Sequence, residues 1–290
     1  MSVLPKTRLP MRIIALPLTG SVRGPGHTAE PSPLVYYHFQ MRRKEEKRRG
    51  GWIDWATGKA SSVWAQFGKA PEDSWKFKFF TYGERLADRI DFEELALKGV
   101  DPSMGPKISQ PRNPSEEQKK IIPLVHPQII GTPPLAHLEA ILTRRSPRHR
   151  KGFYTWMLLA PLTAPFMIIP VIPNFPFFFC AWRSWSHYRA YKASDYLRSL
   201  LQRGTIVPNS DANLDSIYAQ HAPSNILHDA TKSGSEVGKD EEGRKEDKVL
   251  LRRDAVPQIL ELYGLPESAA SDIYRAIDQA SSRLRKGIYT

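Results

Sequence analysis

Two short runs near the start of the chain are rich in β-branched and aromatic residues. Arg12-Ile13-Ile14-Ala15-Leu16 and Leu34-Val35-Tyr36-Tyr37-His38-Phe39 each predict a strand. The period then changes. Trp52, Trp55, Ala56, Val63, Trp64 and Phe67 recur at helical spacing, which predicts an amphipathic helix. Such a stripe packs on a partner helix or lies on a membrane surface, with plain core packing the competing reading. Pro71-Glu72-Asp73-Ser74 opens a second helix whose stripe is Trp75, Phe79, Tyr82, Leu86 and Ile90. Asp91-Phe92-Glu93-Glu94 matches a capping box and predicts a short third helix through Leu97.

From 101 to 134 prolines recur too often for long regular elements, so this stretch reads as a connector, with apolar patches at Ile121-Ile122 and Gln128-Ile129-Ile130. Leu135 to Thr143 predicts a helix, and Trp182 to Gln202 another. Residues 204–248 are polar and charged and end in EVGKDEEGRKEDK. Such a segment buries too little surface to offset its ordering entropy and reads as a disordered linker. Val249 to Tyr263 and Pro266 to Lys286 predict a helix pair turned at Gly264-Leu265-Pro266.

Between these lies an uncharged run, Gly152 to Trp182. A bilayer core takes about 20 apolar residues as one helix. Pro161, Pro165, Pro170, Pro173 and Pro176 interrupt the run, and the Pro170–Pro176 stretch with Asn174 is the expected break. The pattern predicts either one kinked span or a re-entrant hairpin, against a buried core helix as the bland alternative. Basic clusters flank it: Arg144, Arg145, Arg148, Arg150 and Lys151 before, Arg183, Arg189 and Lys192 after. The first cluster is the candidate site for anionic lipid headgroups. Trp182, Trp185 and Tyr188 read as interfacial aromatics rather than a base-stacking strip for nucleic acid. His149 and His187 bracket the run, as pH sensors or as hydrogen-bonded interfacial histidines.

The resulting expectation is a mainly α, helical, membrane-anchored protein. It has a Pro-rich transmembrane or re-entrant hairpin over 135–203, short N-terminal β-strands within 1–100, and a C-terminal helix pair over 249–290. Net charge is +12, which suits anionic lipid or nucleic acid, and the apolar run tilts the balance to lipid. The single cysteine, Cys180, builds no disulfide framework. The first 29 residues are basic and acid-poor, as import signals are, but Pro5, Pro10 and Pro17 spoil a presequence helix.

Chemical motifs point nowhere else. There is no Gly-rich phosphate loop, HExxH, CxxC or GxSxG. Asp211-Ala212-Asn213-Leu214-Asp215 begins like a calcium loop, yet Ser216 and Ala222 stand where glycine and glutamate belong. The expectation is therefore no catalytic residue, no cofactor, no metal ligand and no enzyme.

Several segments carry a resemblance. Met11-RIIALPLTG, YYHFQ at Tyr36–Gln40, Tyr82-GERLADRIDFEELALKGV and Ser146-PRHRKGFYTWMLLAPLTAPFMIIPVIPNFPFFFCAWRSWSHYRAYK resemble the fungal mitochondrial K⁺–H⁺ exchange-related family, in order, from 11 to about 200. The resemblance implies a mitochondrial inner-membrane location and a part in potassium and volume homeostasis. An exchanger needs a protonatable group and an ion site within the membrane. The run offers only Tyr154, Thr155, Thr163, Asn174 and Cys180, with Glu139 and Asp195 on its flanks. An accessory or regulatory factor is the expected role, with other inner-membrane proteins as partners. The alternatives are the exchanger itself as a homo-oligomer, or a membrane tether for a matrix complex such as the mitoribosome.

Overall fold

The computed structural model describes residues 11–20, 33–41, 52–88, 90–106, 121–128, 133–163, 175–221 and 249–286. A four-stranded mixed sheet organises most of the chain. Its strands are β1 (Met11–Pro17), β2 (Val35–Met41), β3 (Ile122–His126) and β4 (Ile206–Ser210), in the order β2-β1-β3-β4. β2 runs antiparallel to β1, with Ile14 opposite His38, and β3 runs parallel to both β1 and β4. Helices α1 (Trp52–Gly68) and α2 (Trp75–Asp88) form a separate compact unit. Within it, Trp64 packs on Phe79 and Phe80, and Phe67 packs edge-on to Trp75. The outward side of α1 keeps Trp55 exposed.

The main unit is built on the two-residue period of its first strand. Ile13 and Ala15 face one side of the sheet, Ile14 and Leu16 the other, and all are buried. On the first side lie α3 (Phe92–Lys98), α4 (Pro134–Thr163) and α5 (Phe175–Gln202). On the second lie α6 (Ala212–His221), α7 (Val256–Tyr263) and α8 (Glu267–Lys286). The two terminal helices meet at Gly264, whose φ of 59° is the left-handed cap that glycine adopts without steric cost.

α4 and α5 form the connection between parallel strands β3 and β4, and they run antiparallel. Ser184 Oγ donates to the Phe153 carbonyl at 3.2 Å, and Arg198 Nη2 donates to the Leu142 carbonyl at 3.1 Å. Trp156 meets Phe179 edge to face nearer the tip.

This arrangement overturns the expected helical membrane anchor. Among the described residues no helix is long and apolar enough to cross a membrane. The physical reason is how the apolar run is divided. Gly152–Thr163 ends α4 and Phe175–Trp182 begins α5, stretches of about 18 Å and 12 Å against a hydrocarbon core of about 30 Å. The remainder of each helix carries arginine and packs on the sheet. Pro165, Pro170, Pro173 and Asn174 lie outside the described residues. Pro161 sits exposed in the last turn of α4, and Pro176 exposed in the first turn of α5.

Further stretches differ from expectation, among them the helix expected from Val249, which begins at Val256. β3 lies inside the predicted connector, and β4 with α6 occupies residues 206–221 of the predicted disordered linker. The helix expected to stop at Thr143 continues through Pro147 to Thr163.

Candidate functional site

The short helix α3 brings two adjacent carboxylates under the α4–α5 pair. Glu93 and Glu94 lie in its first turn, where acidic groups complement the helix dipole, and both are buried. Glu93 pairs with Arg145 of α4 at 2.7 Å and approaches Arg283 of α8 at 3.7 Å. Arg283 in turn stacks over the Phe92 ring. Glu94 accepts both arms of the Arg183 guanidinium from α5, Nη2 to Oε2 being 3.1 Å. Ser186 Oγ donates to Glu94 Oε1 at 2.9 Å. Burial by itself raises the Glu94 pKa. The Arg183 hydrogen bonds and charge, with His187 and Ser186, outweigh it and hold the carboxyl below its usual range.

Beside Glu94, His149 of α4 and His187 of α5 face each other. They are 2% and 6% exposed, and their Nδ1 atoms stand 3.2 Å apart. Nε2 of His149 is buried with no hydrogen-bond partner among the described residues. Desolvation pushes the His149 pKa down to about 4, Glu94 opposes that, and His187, Arg145 and Arg148 reinforce it. His187 is lowered by burial first and by Arg183 next. Both rings are therefore neutral near pH 7. Gly152, on α4, makes room for them: a Cβ there would meet His187 Cδ2 and Nε2 at 2.8 Å. One ligand atom from each of Glu94, His149 and His187 lies within 4.8 Å of the others, and this is a group of metal-ligating type.

Beyond the cluster, the ends of the two helices present an apolar surface. Leu158, Leu162, Met157 and Tyr154 of α4 are exposed, as are Phe178, Trp182 and Trp185 of α5. Lys98 holds its ammonium 5.1 Å from the Trp182 ring centroid. Of the interfacial aromatics named from sequence, Trp182 and Trp185 belong to this surface, while Tyr188 is half-buried and stacks on Trp185. Of the headgroup candidates, Arg144, Arg148, Arg150 and Lys151 are exposed on α4. Arg145 does not share that face, because Glu93 holds it in the interior. Glu139 and Asp195 lie exposed on the outside of the helix pair. Asp211, the first residue of the rejected calcium loop, caps α6 by accepting the Asn213 amide at 3.0 Å.

The Glu94–His149–His187 group was not among the residues read from sequence as ligands. Its available signal was the pair of histidines bracketing the apolar run, which the antiparallel helices bring face to face.

Comparison with known proteins decides the family. A family model described as mitochondrial K⁺–H⁺ exchange-related matches residues 12–201. The chain belongs to this family. The match takes in all but the first residue of β1, strands β2 and β3, the α1–α2 unit, α4 and all but the last residue of α5. The uncharacterized protein YDL183C of Saccharomyces cerevisiae is 21% identical over 297 aligned residues, covering 96% of this chain and 87% of the yeast protein. No solved structure matches. A role related to mitochondrial K⁺–H⁺ exchange follows from the family, and so does a mitochondrial association.

Proposed function

We propose that this member of the K⁺–H⁺ exchange-related family acts at the mitochondrial inner membrane as an accessory or regulatory factor of exchange, docking on a protein of that system. The observation that carries the reading is the exposed apolar surface at the joined ends of α4 and α5, lined by Leu158, Leu162, Phe178, Trp182 and Trp185. An exposed apolar surface of this kind marks an interaction site. A membrane-embedded partner supplies an apolar counterpart with an acidic rim that complements Lys98 and the +12 chain. Exposed Arg144, Arg148, Arg150 and Lys151 provide a peripheral contact for anionic headgroups beside that partner.

The buried acids support an accessory role. Glu93 and Glu94 are each neutralised by arginine and fasten helices together. Carboxylates locked in this way are structural ion pairs rather than free carriers of a proton.

The test uses mitochondria lacking the chain, whose swelling in potassium acetate reports K⁺/H⁺ exchange. The native chain restores the rate. A triple variant, Leu158→Gln, Leu162→Gln and Trp182→Gln, folds and does not restore it. A quadruple variant, Arg144→Gln, Arg148→Gln, Arg150→Gln and Lys151→Gln, binds anionic vesicles less. Full restoration by the triple variant removes the docking surface from the account.

A further inference from the structure

The geometry points to a zinc site formed by Glu94, His149 and His187, which clasps α3 between the two long helices. Two imidazoles and one carboxylate are a ligand set that zinc accepts, usually with a fourth, exchangeable ligand. K⁺ is coordinated by oxygens, as in carbonyl-lined filters, so the site is not one for the transported ion.

Three observations carry the assignment. The first is spacing. Around a tetrahedral zinc with Zn–N of about 2.0 Å, two nitrogen ligands sit about 3.3 Å apart, and the two Nδ1 atoms are separated by 3.2 Å. The second is unmet bonding capacity. His149 is 2% exposed, and its Nε2 is buried without a partner among the described residues. Leaving a buried polar group unsatisfied is costly. A half-turn of the imidazole about its Cβ–Cγ bond trades Nδ1 with Cδ2 and Nε2 with Cε1, which brings Nε2 to the ring edge that faces His187, so either nitrogen can be presented to the metal. The third is the state of the carboxylate. An ionised carboxylate has about four acceptor positions. Arg183 and Ser186 take two on Oε1, and Arg183 takes one on Oε2. One position on Oε2 remains for the metal.

Arg183 and Ser186 then become positioning residues. They orient the Glu94 carboxylate as outer hydrogen bonds commonly orient metal ligands. Arg183, Lys98 and Arg148 also place positive charge around His187. Gly152 is the space-maker, since any side chain there would displace the His187 ring.

The test is zinc binding by the full chain after chelator treatment, measured by competition with a chromogenic chelator. One Zn²⁺ per chain is expected, with a rise in Tm because only the folded state assembles the ligands. His149→Gln and His187→Gln each weaken binding by about 100-fold or more, whereas Ser186→Ala costs about tenfold. His126→Gln, at the end of β3, leaves binding unchanged. Zinc K-edge absorption of the native chain needs no variant and shows imidazole and oxygen neighbours at about 2.0 Å. No zinc bound by the native chain, native-like binding by both histidine variants, or a sulfur neighbour in the absorption spectrum overturns the site.

Discussion

Glu93 and Glu94 are neighbours in the chain and yet hold different helices, because both sit in the first turn of α3 at the junction of α4, α5 and α8. Each buried carboxylate is stable only because an arginine accompanies it; breaking such a pair costs about 3–5 kcal/mol. A half-buried titratable group in the sheet shows the same logic without a partner charge. His38, on β2, is pushed down to about 4 by desolvation and by the positive charge of Arg12. Its folded pKa lies below the unfolded value, so its neutral form favours the fold. That contribution is complete above about pH 6.5 and is lost as pH falls toward 4. Urea denaturation across this window checks it. The native chain loses stability on acidification, and His38→Gln loses less; parallel curves for the two would contradict the assignment.

At the scale of elements, the α4–α5 pair depends on close approach at Gly152. Gly152→Val forces a side chain onto His187 and destabilises by about 1–3 kcal/mol, the usual cost of overpacking. Gly58→Ala in α1, where no described residue lies within 4 Å of the new Cβ, stabilises by about 0.5–1 kcal/mol instead. Thermal melts of both variants check the pair, and equal shifts would contradict it. β1, β2 and α3 were legible because local pattern and tertiary environment agree there. β3 and β4 were not: recurrent prolines, Pro123 among them, make 101–134 read as a connector, and the polar composition of 204–248 makes β4 read as linker, with Pro208 a further argument against a strand. Pro123 is tolerated because the β1–β3 register begins one residue later, at Leu124. Pro208 is tolerated because β4 is an edge strand. Pro147 hid the length of α4. It and Thr143, whose carbonyl it frees, both face solvent, where water takes the lost hydrogen bond. The ligand group was illegible for another reason: Glu94, His149 and His187 come from three helices, and only the antiparallel packing brings them together.

At the scale of the molecule, one sheet carries two helical layers with different work. The α6–α8 layer is closed over an apolar core. The α4–α5 layer turns Arg145 and Arg183 inward to Glu93 and Glu94, keeps Arg144, Arg148 and Arg150 exposed, and leaves apolar side chains at its far end. Charge beside an uncharged run is also the pattern of a membrane span. That likeness explains why an uncharged run flanked by arginine was misread as an anchor. The apolar far end also defines the role proposed for the chain, as a factor brought to exchange by contact with a partner. The direct measurement is potassium-driven proton flux in vesicles of three kinds: the purified chain alone, inner-membrane extract from cells lacking the chain, and that extract with the chain added. The account predicts no flux above protein-free vesicles from the chain alone, and a faster rate from extract plus chain than from extract. Flux from the chain alone that saturates with potassium, or an extract indifferent to its addition, would contradict it.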